Sequence, residues 1–108
     1  MNFKELKQLG LYNNNISDIK VLEKVKFEKL EILDISMNKI SNIDNLENAN
    51  FKELKELYLN NNNISDIKAL EKVNFEKLEA LFLFGNNIEE NKYSSIIENL
   101  ESIFKLYI

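Results

Sequence analysis

The amino-acid sequence predicts an α/β solenoid, a stack of short near-identical units whose strands line up into one parallel sheet. Three observations predict it. Apolar positions recur with a fixed step of 24 residues. Within each unit they first alternate with a period of two and then recur every third residue. No unit carries enough apolar surface to bury its own face, so the units need one another.

The step is visible in every apolar column. Leu6, Leu30, Leu54 and Leu78 follow it, as do Leu9, Leu33, Leu57 and Leu81, and Leu11, Ile35, Leu59 and Leu83. Asn14, Asn38, Asn62 and Asn86 share the register, and so do Ile16, Ile40, Ile64 and Ile88. Phe3, Phe27, Phe51 and Phe75 close the unit, which reads L-x-x-L-x-L-x-x-N-x-I-x-x-I-x-x-L-x-x-V-x-F-x-x. The whole chain, 1–108, reads as one domain with units starting near 6, 30, 54 and 78 and a partial unit from 103.

Each stretch of the unit has its own local reason. Leu9 and Leu11 alternate with Gly10 and Tyr12, the pattern of a strand with one buried face. Ile16, Ile19, Leu22 and Val25 recur every three residues, which suits a 3₁₀ turn or a short irregular helix returning behind the strand. Ser17-Asp18 and Ser65-Asp66 supply oxygens to cap that segment. The fourth unit departs: Glu89-Glu90-Asn91 stands where a buried Ile is expected at 91. Tyr93, Ile96, Ile97 and Leu100 then take helical spacing, predicting an α-helix from about 92 to 101. Ile103, Leu106 and Ile108 restart the strand pattern one residue late.

The unit resembles the leucine-rich-repeat signature L-x-x-L-x-L-x-x-N-x-L, in four copies that keep one register. The I-x-x-I-x-x-L continuation is similar to the short-repeat branch, which includes bacterial internalins and a regulatory subunit of a protein phosphatase. The resemblance implies a right-handed solenoid with the sheet on its concave face and short helices or 3₁₀ turns on its convex face. It also implies that the Asn column bonds loop backbone leaving the sheet, and that the module binds protein.

Composition excludes several chemistries. The chain has no Cys and no His, which removes thiolate nucleophiles, imidazole bases and most zinc or iron sites. No phosphate-binding glycine loop is present. We expect no catalytic residue, no metal and no cofactor. Asp18, Asp66, Glu89 and Glu90 fall at the starts of the convex segments, without the spacing of a calcium loop, and read as caps. Both charge signs are mixed along the chain, with a net charge of −4 and no basic block, so nucleic acid is not an expected partner. No apolar run approaches the roughly 20 residues of a membrane span. Met1-Asn2-Phe3-Lys4-Glu5 does not read as an export signal, which points to a cytoplasmic protein.

The chain also compares informatively with itself. Residues 6–30 and 54–78 are 25 aligned positions that differ at five: Gln8/Glu56, Gly10/Tyr58, Tyr12/Asn60, Val21/Ala69 and Lys26/Asn74. The first three pairs are outward residues of a strand, as expected where a scaffold repeats and a partner surface does not. Drift at exposed sites predicts something similar. Across the strands the central outward column is Gly10, Asp34, Tyr58, Phe82 and Tyr107, and the next is Tyr12, Ser36, Asn60 and Phe84. Tyr58, Phe82, Phe84 and Tyr107 thus gather at the C-terminal half of the sheet, on a face that the Leu columns do not need. These four, with Tyr12 and Asp34 at the margin, are the expected anchors for a protein or peptide partner. Two competing accounts are that the rings only support one another, or that a segment outside the chain covers them. Both ends look uncapped, so a fragment of a longer repeat protein, or a scaffold that self-associates through its ends, is the alternative reading. Phe104, Ile96 and Ile97 are expected to add apolar surface at the C-terminal end.

Overall fold

The computed structural model describes residues 3–108; Met1 and Asn2, which open the N-terminal segment read above, lie outside it. Five strands form one sheet in chain order: β1 (Gln8–Gly10), β2 (Ile32–Asp34), β3 (Glu56–Tyr58), β4 (Ala80–Phe82) and β5 (Lys105–Tyr107). All pairs are parallel. Gln8 pairs with Ile32, Ile32 with Glu56 and Glu56 with Ala80, while Ala80 pairs with Lys105, the one-residue delay expected of the last unit. Each strand is only three residues long because one Leu suffices to anchor it. Leu33, Leu57 and Leu81 are fully buried, while Leu9 and Leu106 in the two outer strands are half-buried.

Opposite the sheet run four 3₁₀ turns: η1 (Lys20–Glu23), η2 (Asp44–Asn48), η3 (Lys68–Glu71) and η4 (Glu90–Tyr93). The three-residue apolar spacing selects this geometry, since residues i and i+3 eclipse in a 3₁₀ helix and share one face. Leu22, Leu46, Leu70 and Tyr93 are the side chains so buried. The capping oxygen comes from the residue before the formal cap. Asp18 Oδ1 accepts from Lys20 N at 2.8 Å and Asp66 Oδ1 from Lys68 N at 2.9 Å. Asn42 Oδ1 does the same for Asp44 N at 2.8 Å. These are Asx turns, with the carboxylate or amide rather than the neighbouring Ser as acceptor.

The last turn runs straight into α1 (Ser94–Glu101), so the expected helix is divided into a 3₁₀ entry and an α-helical body. Ile96, Ile97 and Leu100 form its buried face, packed against η3 and β5. Phe104 is buried too and meets Phe75 edge-on at 6.3 Å. These residues therefore close the core rather than adding apolar surface at its end, because the helix turns its apolar stripe inward. Phe3, Phe27 and Phe51 stack face to face at 6.1 and 6.3 Å along the solenoid. Among the described residues no helix is long and apolar enough to cross a membrane.

The Asn column ties neighbouring units together. Asn62 Nδ2 donates to Leu59 O at 3.0 Å within its own turn and to Ile35 O at 3.2 Å one unit back, while its Oδ1 accepts from Ile40 N at 3.0 Å. Asn38 and Asn86 repeat the arrangement. Without these bonds, backbone groups leaving the sheet would be buried unpaired. The residue just before each ladder Asn takes a left-handed backbone: Asn13 (φ 58°), Met37 (φ 55°), Asn61 (φ 58°) and Gly85 (φ 74°). A Cβ on Gly85 would also overlap the Asn61 side chain, so Gly is needed there on two counts. One ion pair crosses each of the first three unit junctions: Lys29–Glu5 at 3.0 Å, Lys55–Glu31 at 4.0 Å and Lys77–Glu53 at 2.6 Å.

Candidate partner-binding face

Period-two alternation sends the residues flanking each central Leu out of the sheet, onto the concave side. Parallel register then brings Asp34, Tyr58, Phe82 and Tyr107 side by side on β2 to β5. Three of the rings form one continuous stack. Tyr58 and Phe82 lie 4.3 Å apart with planes at 6°, and Phe82 and Tyr107 lie 4.5 Å apart at 2°. The spacing is close to the strand separation, so the rings stand upright on the sheet and present edges and hydroxyls outward. Phe84 lies one column away, 45% exposed, where backbone pairing continues past β4 through Asn61 N to Phe84 O at 2.9 Å. Tyr12 is 59% exposed at the opposite margin of the sheet, beyond β1, and does not join the stack. Asp34 stands on the strand beside Tyr58 with Oδ1 accepting from Ser36 N at 3.0 Å and Ser36 Oγ at 2.6 Å.

Residues 28–88 match the family described as leucine rich repeat, and residues 4–48 match leucine rich repeats (2 copies). The chain belongs to the leucine-rich-repeat family. A search of curated proteins finds no match to it. Leucine-rich-repeat domains generally mediate protein–protein interaction and typically act as non-enzymatic binding scaffolds.

Within this leucine-rich-repeat sheet, three outward residues matter that are not among the expected anchors. Glu56 Oε1 accepts a 2.5 Å hydrogen bond from the Tyr58 hydroxyl. That bond first, then burial, then the charges of Glu56 and Asp34 push the Tyr58 hydroxyl up to about 12. Lys105 places its ammonium 6.0 Å from the Tyr107 ring centroid, at the C-terminal end of the stack. Asn60 Oδ1 is buried without a hydrogen-bond partner, an unfavourable arrangement on the same face. The i, i+2 spacing of Glu56 and Tyr58 puts both on one side of a strand and is the signal for their bond. Nothing in the sequence pattern signals the ring geometry or the orphaned Asn60 oxygen.

Proposed function

We propose that the chain is a protein- or peptide-binding module that holds its partner on the concave sheet, with no reaction of its own. The stack of Tyr58, Phe82 and Tyr107 with Phe84 beside it carries this reading. Large rigid aromatics are the usual anchors of an interface, and this chain has no Arg to share that role. The internal repeat adds support when followed over its full length. Residues 3–40 and 51–88 align over 38 positions and differ at 11. All six outward strand positions (8, 10, 12, 32, 34 and 36 against 56, 58, 60, 80, 82 and 84) are among the 11. Only five of the remaining 32 positions differ, so the divergence is concentrated on one face. Uniform drift at exposed sites would have altered the convex lysines and glutamates as readily. The I-x-x-I-x-x-L continuation supports kinship with the short-repeat branch.

The test is selection of binding peptides from a displayed random library, followed by amide-shift mapping on the intact chain. The expected footprint covers Tyr58, Phe82, Phe84 and Tyr107. Phe84→Ala should weaken the selected peptides by about tenfold or more while leaving the thermal midpoint near that of the parent chain. Lys24→Ala on the convex side should change neither. A footprint confined to the convex turns would refute the reading. β5 stands last in the strand order of the described residues, and an edge strand can pair with a second copy, which favours a second reading of self-association. Shifts confined to Lys105–Tyr107 that grow with protein concentration would support that one instead.

A further inference from the structure

The ring stack has two ends, and they differ. At its C-terminal end the face of Tyr107 already has a cation, the Lys105 ammonium, near it. At its N-terminal end one face of Tyr58 lies on Phe82 and the other looks back across β2 and β1. There the central column holds Asp34 and then Gly10, which has no side chain. A Cβ built on Gly10 would find only Tyr12 Cδ1 near, at 4.0 Å, so the space above Gly10 is open and bordered by the Tyr12 ring. Gly10 and Tyr58 stand two strands apart, about 10 Å, with the shorter Asp34 between them and bonded to Ser36, so a flat group can lie above Asp34 against the Tyr58 ring with its stem over Gly10.

The electrostatics of this notch are one-sided. Asp34 stands between Gly10 and Tyr58 and Glu56 beside the Tyr58 hydroxyl, each with one carboxylate oxygen engaged, the first by Ser36 and the second by Tyr58. Among the described residues neither carboxylate forms an ion pair with a lysine. The charges of Glu56 and Asp34 also reach the Tyr58 hydroxyl, adding to the rise caused first by its bond to Glu56 and then by burial. An aromatic face beside two carboxylates is the environment that attracts an organic cation. The fold already illustrates half of this arrangement at Lys105 and Tyr107.

We propose that the notch over Gly10 receives a cationic side chain of the partner, an arginine in preference to a lysine, laid on the open face of Tyr58 with its charge toward Asp34 and Glu56. This rests on the reading of the sheet as the partner-binding face and names the chemistry that it selects. A guanidinium fits better than an ammonium because it is planar, weakly hydrated and able to stack while donating in-plane to carboxylates. The partner is thus a segment with a basic residue beside apolar ones, the basic residue over β1 to β3 and the apolar ones over β4 and Phe84.

The test uses N-acetyl-arginine methylamide titrated into the intact ¹⁵N-labelled chain, with the lysine and citrulline methylamides as comparisons. Binding should be weak, roughly millimolar, with the largest shifts at Gly10, Asp34 and Tyr58. The neutral citrulline probe should produce none of them, and lysine should bind less tightly than arginine. Asp34→Asn keeps an acceptor for Ser36 and should weaken arginine by about tenfold. Gly10→Val fills the notch on a strand position with space for it, so it should abolish binding with the thermal midpoint retained. Equal shifts from citrulline, tighter binding of lysine, or full binding by Gly10→Val would overturn the proposal. If no probe binds while selected peptides still cover Phe84, the cation site falls and the partner-binding face stands.

Discussion

Replacing Asn62 with Ala tests the device that joins one repeat to the next. Asn62 is 6% exposed, and its side chain bonds four backbone groups: Ile35 O, Leu59 O, Asn60 O and Ile40 N. The loss is not equal among them. Ile35 O keeps a donor from Asn38, and Leu59 O keeps one from Asn86. Among the described residues Ile40 N has Asn62 Oδ1 as its acceptor and no other, so Asn62→Ala leaves that buried N–H unpaired. An orphaned buried donor costs about 1–3 kcal/mol, and the lost carbonyl bonds add a few tenths each or more. The expected destabilisation is therefore about 3 kcal/mol. Asn14→Ala is the internal comparison: that side chain is exposed and donates only to Leu11 O and Tyr12 O nearby, so it should cost less than about 1 kcal/mol. Asn62→Asp keeps an acceptor for Ile40 N but turns a charge toward carbonyl oxygens, and should be at least as harmful as Ala. Urea denaturation with an unchanged slope measures all three variants. Asn62→Ala within about 0.5 kcal/mol of the parent chain, or Asn14→Ala equal to it, would refute the ladder as an energetic element.

Two further outcomes follow from single residues. Met37 holds a left-handed backbone at an exposed position where the equivalent residues are Asn and Gly, so Met37→Asn should stabilise the fold by about 0.5–1 kcal/mol in thermal or urea unfolding; a loss of stability would mean that Met37 makes contacts worth more than its strain. Tyr58 should ionise near 12 in an alkaline titration read by phenolate absorbance, and Tyr58→Phe should remove that step. Because its folded pKa is raised, its contribution to stability is present below the ordinary value of about 10 and is lost as pH climbs toward about 12. A Tyr58 that titrates as a free phenol would remove the Glu56 bond from the account of the site.

Whatever repeats in this chain is legible in its sequence. The Leu columns, the Asn ladder and the strand register all follow from one residue type recurring at one step, since a stacked unit must place like on like. The delayed last strand and the presence of a helix near 92–101 followed from spacing alone, yet the burial of Phe104, Ile96 and Ile97 did not, because a helix stripe says nothing about which surface it meets. On the candidate face, period two placed Tyr58, Phe82 and Tyr107 in one outward column and Phe84 in the next, but it could not show that the three rings of the first column lie face to face. Ring planes depend on side-chain torsions, which alternation does not encode. Met37 was hidden for a similar reason: its left-handed backbone belongs to the turn geometry of its column, not to the preference of its own side chain.

The ion pairs at the unit junctions give the solenoid a parity. Glu5, Lys29, Glu53 and Lys77 alternate in sign down one column, and Lys7, Glu31, Lys55 and Glu79 alternate in the opposite phase down another. The observed bridge moves between the two columns accordingly, from Lys29–Glu5 to Lys55–Glu31 and back to Lys77–Glu53. In the language of polymers, the chain has a two-monomer unit cell: its translational period is 48 residues although its backbone repeats every 24. Excising one repeat would set Glu5 beside Glu53 and Lys7 beside Lys55. Each such exposed contact is weak, but both columns would mismatch together at the new junction. Arrays lengthened or shortened by pairs of repeats keep the phase, and those changed by single repeats break it.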